Sequence, residues 1–126
     1  MKDIDNLVSI ILPTFNRSYC IKRAIDSIIN QTYNNFELIV VDNNSQDETK
    51  TVVQSYKDER IKFIKINNSG VIAKSRNKGA SIAKGRFLAF LDSDDWWLPS
   101  KLMVSINYIK SGYDVVYHDL FVVSKY

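Results

Sequence analysis

Apolar and polar residues follow one another along the chain in blocks that predict strands followed by helices. Residues 7–12 form a continuous apolar run that stops at Pro13, which predicts a buried strand. In the segment opened by Ser18, apolar residues then recur at the i, i+3, i+4 and i+7 spacing of one helix face. The residues on that face are Ile21, Ala24, Ile25, Ile28 and Ile29. The first predicted elements are therefore a strand and an amphipathic helix.

Two further strand and helix pairs are predicted next. Residues 36–41 are rich in β-formers, and behind them Ser45 and Glu48 have the spacing of a capping box that starts a helix. Residues 61–66 alternate apolar and basic side chains, which predicts the least buried strand, either at a sheet edge or with one face exposed. The helix after this strand is predicted to run to Ala83, with Gly85 ending it in a position where a left-handed backbone is tolerated.

The remaining residues predict two more strands with a helix between them. Residues 86–91 predict a buried strand, Pro99 suits the first turn of the next helix, Gly112 ends that helix, and residues 114–117 predict a fifth strand. The elements thus alternate strictly between strand and helix. We therefore expect an α/β fold in a single domain over residues 1–126, with a mostly parallel sheet of about five strands covered by helices on both faces.

Composition narrows the classes of function. The 17 basic and 14 acidic residues leave a net charge of +3, which is too small to predict nucleic-acid binding. The single Cys20 and the single His118 exclude an internal disulfide and a Cys- or His-based zinc site, and we favour structural roles for both. A metal would therefore need oxygen ligands. Residues 7–12 are too short for a signal peptide or a membrane span, so we expect a cytoplasmic protein.

Candidate ligand-binding residues follow the strands, because parallel α/β sheets bind ligands at the carboxyl ends of their strands. Asp92, Ser93 and Asp94 come directly after residues 86–91. Two carboxylates at this spacing can both reach one Mg²⁺ or Mn²⁺ ion. The alternative is that one Asp caps the next helix while the others are solvated. An EF-hand is excluded, because Trp97 stands where its glycine must be.

Two other groups of polar residues could also bind a ligand, and each has a structural explanation as an alternative. Asp42, behind residues 36–41, suits a hydrogen bond from a nucleobase or a ribose hydroxyl, although an Asx turn before the next helix is the simpler explanation. Arg76 suits a diphosphate, with Lys74 close by in sequence. A solvated basic face explains the lysine equally well.

The loop behind the first strand, residues 13–17, is a third candidate. Its backbone amides and the Thr14 hydroxyl could hold a base, with Phe15 against a ring and with Pro13 and Arg17 on either side. The alternative is a plain loop that ends a strand at proline.

Four segments, in this order, closely resemble the N-terminal nucleotide-sugar-binding half of family 2 glycosyltransferases, which have the GT-A fold. The segments are VSIILPTFNR, VVDNNSQDET, NNSGVIAKSRNKG and GRFLAFLDSDDWWLP. The resemblance covers roughly residues 7–119. It implies a metal-assisted, inverting transfer of a sugar from a nucleoside diphosphate donor, most commonly a UDP-sugar, to a saccharide or glycan-precursor acceptor.

The resemblance also implies roles for individual residues. The turn at residues 13–14 and Asp42 match the positions that hold the base and ribose of the donor, and Arg76 matches a residue that faces the donor. Asp92 and Asp94 match the D-x-D motif of the family, in which the first Asp is nearer the ribose and the second reaches a Mn²⁺ or Mg²⁺ ion. The sequence departs from the family at residues 43–44, where Asn-Asn replaces the frequent Asp-Gly.

The family's catalytic base, an Asp or Glu, normally lies beyond residue 126, and Asp119 is the only late carboxylate that could be proposed for it. We therefore expect a donor-binding half without the acceptor-binding part, which is either a piece of a larger, membrane-associated enzyme or a stand-alone module. Such a chain should bind nucleotide but transfer sugar poorly alone. An open sheet edge would also favour homo-oligomers.

A non-catalytic nucleotide- or Mg²⁺-binding α/β module, for example a response-regulator-like receiver, is the alternative. Receivers carry an acid pair after their first strand, where this chain has Pro13 and Thr14, so we disfavour that interpretation.

Overall fold

The computed structural model describes residues 4–123, which form a four-stranded parallel sheet with helices on both faces. The strands are β1 (Val8–Thr14), β2 (Phe36–Asp42), β3 (Ile61–Lys65) and β4 (Phe87–Phe90). The helices are α1 (Ile21–Ile29), α2 (Thr49–Gln54), α3 (Ile72–Ile82) and α4 (Lys101–Lys110), and a short 3₁₀ turn, Ile4–Asn6, precedes β1. Within residues 4–123, no helix has the length and apolar character needed to cross a membrane.

The strands lie in the order β3-β2-β1-β4, and every neighbouring pair is parallel. All residues of β1 and β2 are buried, which explains the apolar runs that predicted these strands. The edge position of β3 confirms that the alternating segment forms an edge strand. The prediction that it is the least buried strand is wrong, because two of the four residues of β4 are exposed and only one of the five of β3. In a receiver-like fold the second and third strands flank the first, whereas here β2 and β4 do. The receiver-like interpretation is therefore wrong.

Alternate residues of β1 face different helix layers. Val8, Ile10 and Leu12 share one buried cluster with residues from α1, α2 and α4. On the other face, Ile11 shares a second cluster with apolar residues of β2 and with residues at the end of α3, namely Ile39, Val41, Ala80 and Ile82. The predicted arrangement of helices on both faces is thus confirmed.

Two glycines let the backbone pack closely against β1. A Cβ on Gly79 of α3 would lie 2.6 Å from Cγ2 of the buried Ile11, and a Cβ on Gly85 would lie 2.6 Å from the carbonyl oxygen of Leu7. The helix α3 ends at Ile82, one residue before the predicted Ala83. The predicted left-handed role of Gly85 is wrong, since the glycine is required by the nearby β1 backbone instead. Gly112, with a φ of +108°, follows α4 as predicted.

The sheet has four strands rather than five. Residues 114–117 form no strand, and Val115 and Tyr117 are 78% and 90% exposed. A strand needs a hydrogen-bonded neighbour, and β4 pairs with β1 alone among the described strands. The prediction that residues 86–91 form a fully buried strand is also wrong, because β4 lies at an edge and Leu88 and Phe90 are about half exposed.

The predicted capping box at Ser45 and Glu48 is not formed, and α2 begins only at Thr49. The Ser45 hydroxyl instead donates to the carboxylate of Asp42. The first amide of α2, that of Thr49, donates to Oδ1 of Asp47 at 3.0 Å. Hydrogen bonds within the loop between β2 and α2 thus replace the predicted capping box, and the helix starts later than the sequence pattern predicts.

Candidate functional site

Loops at the carboxyl ends of all four strands surround one cavity. The segments behind β1 and β4 contribute residues 13–17 and 92–94, and the turns behind β2 and β3 contribute further polar groups. The cavity has a volume of about 310 Å³. Its lining residues are Pro13, Thr14, Phe15, Arg17, Asn43, Asn68, Gly70, Ile72, Ser75, Asp92, Ser93 and Asp94. Most of the side chains that the sequence proposed for donor and metal binding therefore share one cavity.

The loops behind β1 and β2 are joined by hydrogen bonds. The amide of Asn16 donates to Oγ of Ser45 at 2.8 Å, and the amide of Gln46 donates to Oδ1 of Asn16 at 2.8 Å. Asp47 accepts the amide of Ser18 at 3.0 Å. Desolvation of Asp47 favours its protonated form, but the hydrogen bonds from Thr49 and Ser18 outweigh it and hold the pKa of this carboxyl well below its usual range. These contacts fix the wall of the cavity that contains Thr14 and Phe15.

Thr14 places an unpaired hydroxyl at this wall. The residue is 5% exposed, and its Oγ1 is the only buried side-chain nitrogen or oxygen atom within residues 4–123 without a hydrogen-bond partner. A buried hydroxyl without a partner destabilises the folded state, and a polar group of a ligand would satisfy it. Because Thr14 lines the cavity, a ligand that reached this hydroxyl would supply its missing partner.

The acidic loop, residues 92–95, follows β4, the strand that pairs with β1, and contributes Asp92, Ser93 and Asp94 to the lining. Oδ1 of Asp92 accepts a 2.9 Å hydrogen bond from Nη2 of Arg76, while Asp94 is exposed. Burial raises the pKa of Asp95, and the carboxylates of Asp94 and Asp92 raise it further. Negative charge is therefore concentrated in the part of the lining that the acidic loop forms.

The acidic loop fits a divalent cation as part of a shared site. Within the described residues, no three or more His, Cys, Asp or Glu side chains are grouped so that they could hold a metal. Mg²⁺ and ions like it commonly bind through one or two carboxylates and take their other ligands from substrate phosphates and water. Asp92 and Asp94, both at the cavity surface, meet that requirement.

Four predicted site residues do not line the cavity. Asp42 is 1% exposed, and its carboxylate accepts the Ser45 amide at 3.0 Å, so it stabilises the local turn that the alternative interpretation expected. Its contact with a base or ribose stays a prediction. Arg76 reaches the cavity lining only through its ion pair with Asp92. Lys74 is exposed on α3, and Asp119 is exposed in the irregular segment after α4.

The sequence pattern did not predict that the asparagines after β2 and β3, Asn43 and Asn68, line the cavity. Oδ1 of Asn43 accepts the amide of Asn68 at 2.8 Å, and Nδ2 of Asn68 donates to Oγ of Ser75 at 2.9 Å. The Asn-rich turn of residues 67–70 was the available signal, but these contacts join residues that are distant in sequence. Asn44 has a φ of +53°, a left-handed conformation that Asn tolerates, so the Asn-Asn departure keeps a backbone that glycine would also adopt.

Comparison with known proteins identifies relatives over most of the chain. The family model described as glycosyl transferase family 2 matches residues 9–125. The Escherichia coli UDP-Glc:alpha-D-GlcNAc-diphosphoundecaprenol beta-1,3-glucosyltransferase WfgD is 44% identical over 103 residues, which are 82% of this chain and 41% of WfgD. The Campylobacter jejuni GalNAc(5)-diNAcBac-PP-undecaprenol beta-1,3-glucosyltransferase is 41% identical over 87% of this chain and 37% of its own length. The chain thus spans about two-fifths of the length of these relatives.

Two solved structures share the fold. Residues 1–349 of Staphylococcus aureus TarS, in complex with UDP-GlcNAc, give a TM-score of 0.77 at 31% identity, covering 84% of this chain and 31% of that one. The Pyrobaculum calidifontis mannosyltransferase PcManGT, in complex with GDP-Man and Mn²⁺, gives a TM-score of 0.69 at 27% identity, covering 82% and 31%. Both comparison structures contain a nucleotide sugar, and the second also contains a metal ion.

Proposed function

The chain belongs to glycosyltransferase family 2, and from this membership we propose that it is the nucleotide-sugar-binding half of a GT-A glycosyltransferase. The proposed reaction transfers a sugar from a nucleoside diphosphate donor to a saccharide acceptor with inversion at the anomeric carbon. The observation that carries the proposal is the cavity at the carboxyl edge of the sheet, which combines the unpaired hydroxyl of Thr14 with the carboxylates of Asp92 and Asp94.

Different residues of the lining suit different parts of the donor. Phe15 is half exposed and can stack on a planar base, while Thr14 can hydrogen-bond to it. Asp92 and Asp94 suit a cation that accompanies a diphosphate. Arg17 also lines the cavity and adds a positive charge that can pair with phosphate oxygens.

Transfer leaves negative charge on the departing nucleoside diphosphate. When bound, a divalent cation neutralises that charge as a Lewis acid. Asp94 is the residue we assign to hold the cation, and Asp92 would contact the ribose and help to hold the cation. Arg76 fixes the orientation of Asp92 through their 2.9 Å ion pair, so this carboxylate is placed before the donor arrives.

For the donor we propose a UDP-hexose, and for the acceptor a saccharide on a polyprenyl diphosphate. The E. coli and C. jejuni relatives are both named for undecaprenol-linked acceptors, and WfgD is also named for UDP-Glc. An acceptor of this kind is held in a bilayer. We therefore propose that the whole enzyme works at a membrane surface.

Calorimetric titration with UDP, GDP and dTDP, each with Mn²⁺ and after chelation, tests the donor site. We expect UDP to bind more tightly with Mn²⁺, and Asp94→Ala to weaken Mn²⁺-dependent binding by about tenfold or more, because a charged ligand to the cation is lost. Asp114→Ala is the matched control, since Asp114 is exposed and outside the cavity lining. Absence of binding by all three nucleotides would contradict the proposal.

A further inference from the structure

Helix α1 presents a row of polar side chains toward the loop behind β4. The row, which we call the polar stripe, consists of Cys20, Arg23, Ser27 and Gln31 and runs from the residue before α1 to just after its end. The spacing of three or four residues puts these side chains along one side of the helix. The neighbouring residues of α1, Ala24 and Ile28 among them, are buried in the core, so the stripe has a rigid base.

Each member of the polar stripe contacts a backbone group of the segment that contains or follows the acidic loop. Sγ of Cys20 lies 3.5 Å from the Ser93 carbonyl oxygen, and Nη2 of Arg23 donates to the Asp94 carbonyl oxygen at 3.0 Å. Oγ of Ser27 accepts the Trp97 amide at 3.1 Å. Farther along, Gln31 donates to the Leu98 carbonyl at 2.7 Å and accepts the Leu102 amide at 2.9 Å. Consecutive parts of one segment are thus held against one helix.

Arg23 makes a second contact in the same segment. Its guanidinium carbon lies 3.8 Å from the centroid of the Trp96 ring, which is a cation–π stack. The hydrogen bond goes to the backbone of Asp94. Arg23 therefore fixes the chain on the carbonyl side of Asp94 while the Asp94 side chain lines the cavity.

We propose that Arg23 is a positioning residue for the metal-binding carboxylate of Asp94. By fixing the Asp94 carbonyl and the Trp96 ring against α1, it holds the acidic loop in the geometry that a cation and a diphosphate require. A ligand that is already in place loses less conformational entropy when the cation binds. The identity of the ligand, a cation with a diphosphate, rests on the proposed function. The positioning of the acidic loop rests on the contacts of Arg23 with Asp94 and Trp96.

The first test measures amide hydrogen exchange of residues 93–98 without any ligand. In Arg23→Met the hydrogen bond and the stack are lost while most of the aliphatic stem is kept, so we expect these amides to exchange about tenfold faster. The control is Arg86→Met, because Arg86 is exposed and lies 5.5 Å from the Phe87 ring at the opposite end of β4. Unchanged exchange in Arg23→Met would overturn the proposal. Arg23 is itself exposed, and circular dichroism verifies that the variant folds.

The second test titrates UDP into wild type and both variants, with and without Mn²⁺. We expect Arg23→Met to reduce the gain in UDP affinity that Mn²⁺ provides by about tenfold, because the cation must then order the loop, and to leave the metal-free affinity unchanged. An equal loss with and without Mn²⁺ would overturn the positioning role. If wild type itself gains nothing from Mn²⁺, the metal-dependent donor site fails, and hydrogen exchange alone then decides whether Arg23 orders the loop.

Discussion

The unpaired hydroxyl of Thr14 destabilises the folded state, and we propose that it hydrogen-bonds to the donor. Its hydroxyl is buried without a partner, so replacing it with a methyl group of similar size removes an unsatisfied polar atom. We expect Thr14→Val to raise the free energy of unfolding by about 1 kcal/mol and to weaken UDP binding by about tenfold. Urea unfolding and calorimetric titration measure the two effects.

Thr49→Val is the matched control for Thr14→Val. Thr49 is also fully buried, but its hydroxyl donates to Asp47 at 2.5 Å and accepts the Arg17 amide at 3.0 Å. The same substitution there should therefore lower the free energy of unfolding. A Thr14→Val variant that is destabilised and binds UDP as tightly as wild type would argue that the hydroxyl faces no ligand.

Glu37 is a buried carboxylate far from the cavity that stabilises the other end of the sheet. Its Oε1 accepts the Ser9 hydroxyl and the Lys84 amide, both at 2.6 Å, and its Oε2 accepts Nζ of Lys62 at 2.9 Å. Burial favours the protonated form, but these hydrogen bonds outweigh burial and hold the pKa of Glu37 below its usual value of 4.5. The ionised form is therefore the one that the fold stabilises.

Glu37→Gln should lower the free energy of unfolding at neutral pH by about 2 kcal/mol, because an amide N–H then faces the Lys62 ammonium or one of the other donors. Since the folded-state pKa lies below the unfolded one, the contribution of Glu37 is complete above pH 4.5 and is lost as the pH falls through the folded-state value. The difference between wild type and variant should shrink over that range in urea titrations. The exposed Glu48→Gln is the control, and an equal loss there would contradict a specific role for Glu37.

At the scale of elements, β4 is the most exposed apolar strand. Among the strands of residues 4–123 it pairs only with β1, and Leu88 and Phe90 are 47% and 48% exposed. Open strand edges and apolar surface both favour association. We propose that two copies of the 126-residue chain associate through β4, with a dimer fraction that rises with concentration in light scattering.

Leu88→Lys should shift this equilibrium toward monomer, because a charged side chain on an edge strand opposes pairing. Val104→Lys is the control, since Val104 on α4 is also 48% exposed but lies outside the sheet. A wild type that stays monomeric at high concentration, or an equal effect of both variants, would refute association through β4.

The elements also show which features the sequence could predict. β1, β2 and α1 were predictable because each buries a regular apolar pattern. The fifth strand was not, because the apolar residues 114–117 form a strand only with a neighbouring strand to pair with, and α2 starts late because Asp42 binds Ser45. In the site, the carboxyl-edge rule located the cavity. The roles of Asn43 and Asn68 depend on a hydrogen bond between loops, which no local pattern encodes.

At the scale of the whole molecule, the cavity contains carboxylates that we propose to bind the donor, but none that we assign to the acceptor. Asp92 and Asp94 are the only acidic residues among residues 4–123 in its lining, and our proposal assigns both to the ribose and the metal. Inverting transfer also needs a base that removes the proton of the acceptor hydroxyl, and such a base typically contributes about 10²- to 10⁴-fold to the rate. Asp119, the late candidate, lies outside the cavity lining.

We therefore expect the 126-residue chain to bind UDP-glucose with Mn²⁺ yet to transfer glucose to an undecaprenyl diphosphate-linked saccharide at least about 10²-fold more slowly than a full-length relative such as WfgD. Binding is measured by calorimetry and transfer by release of UDP together with chromatography of the lipid product. Asp119→Asn serves as the control for a base within the chain, and its transfer rate should equal that of wild type. Transfer as fast as that of WfgD would contradict the expectation that the donor cavity lacks the catalytic base. If that fast transfer were lost in Asp119→Asn, Asp119 would be identified as the base.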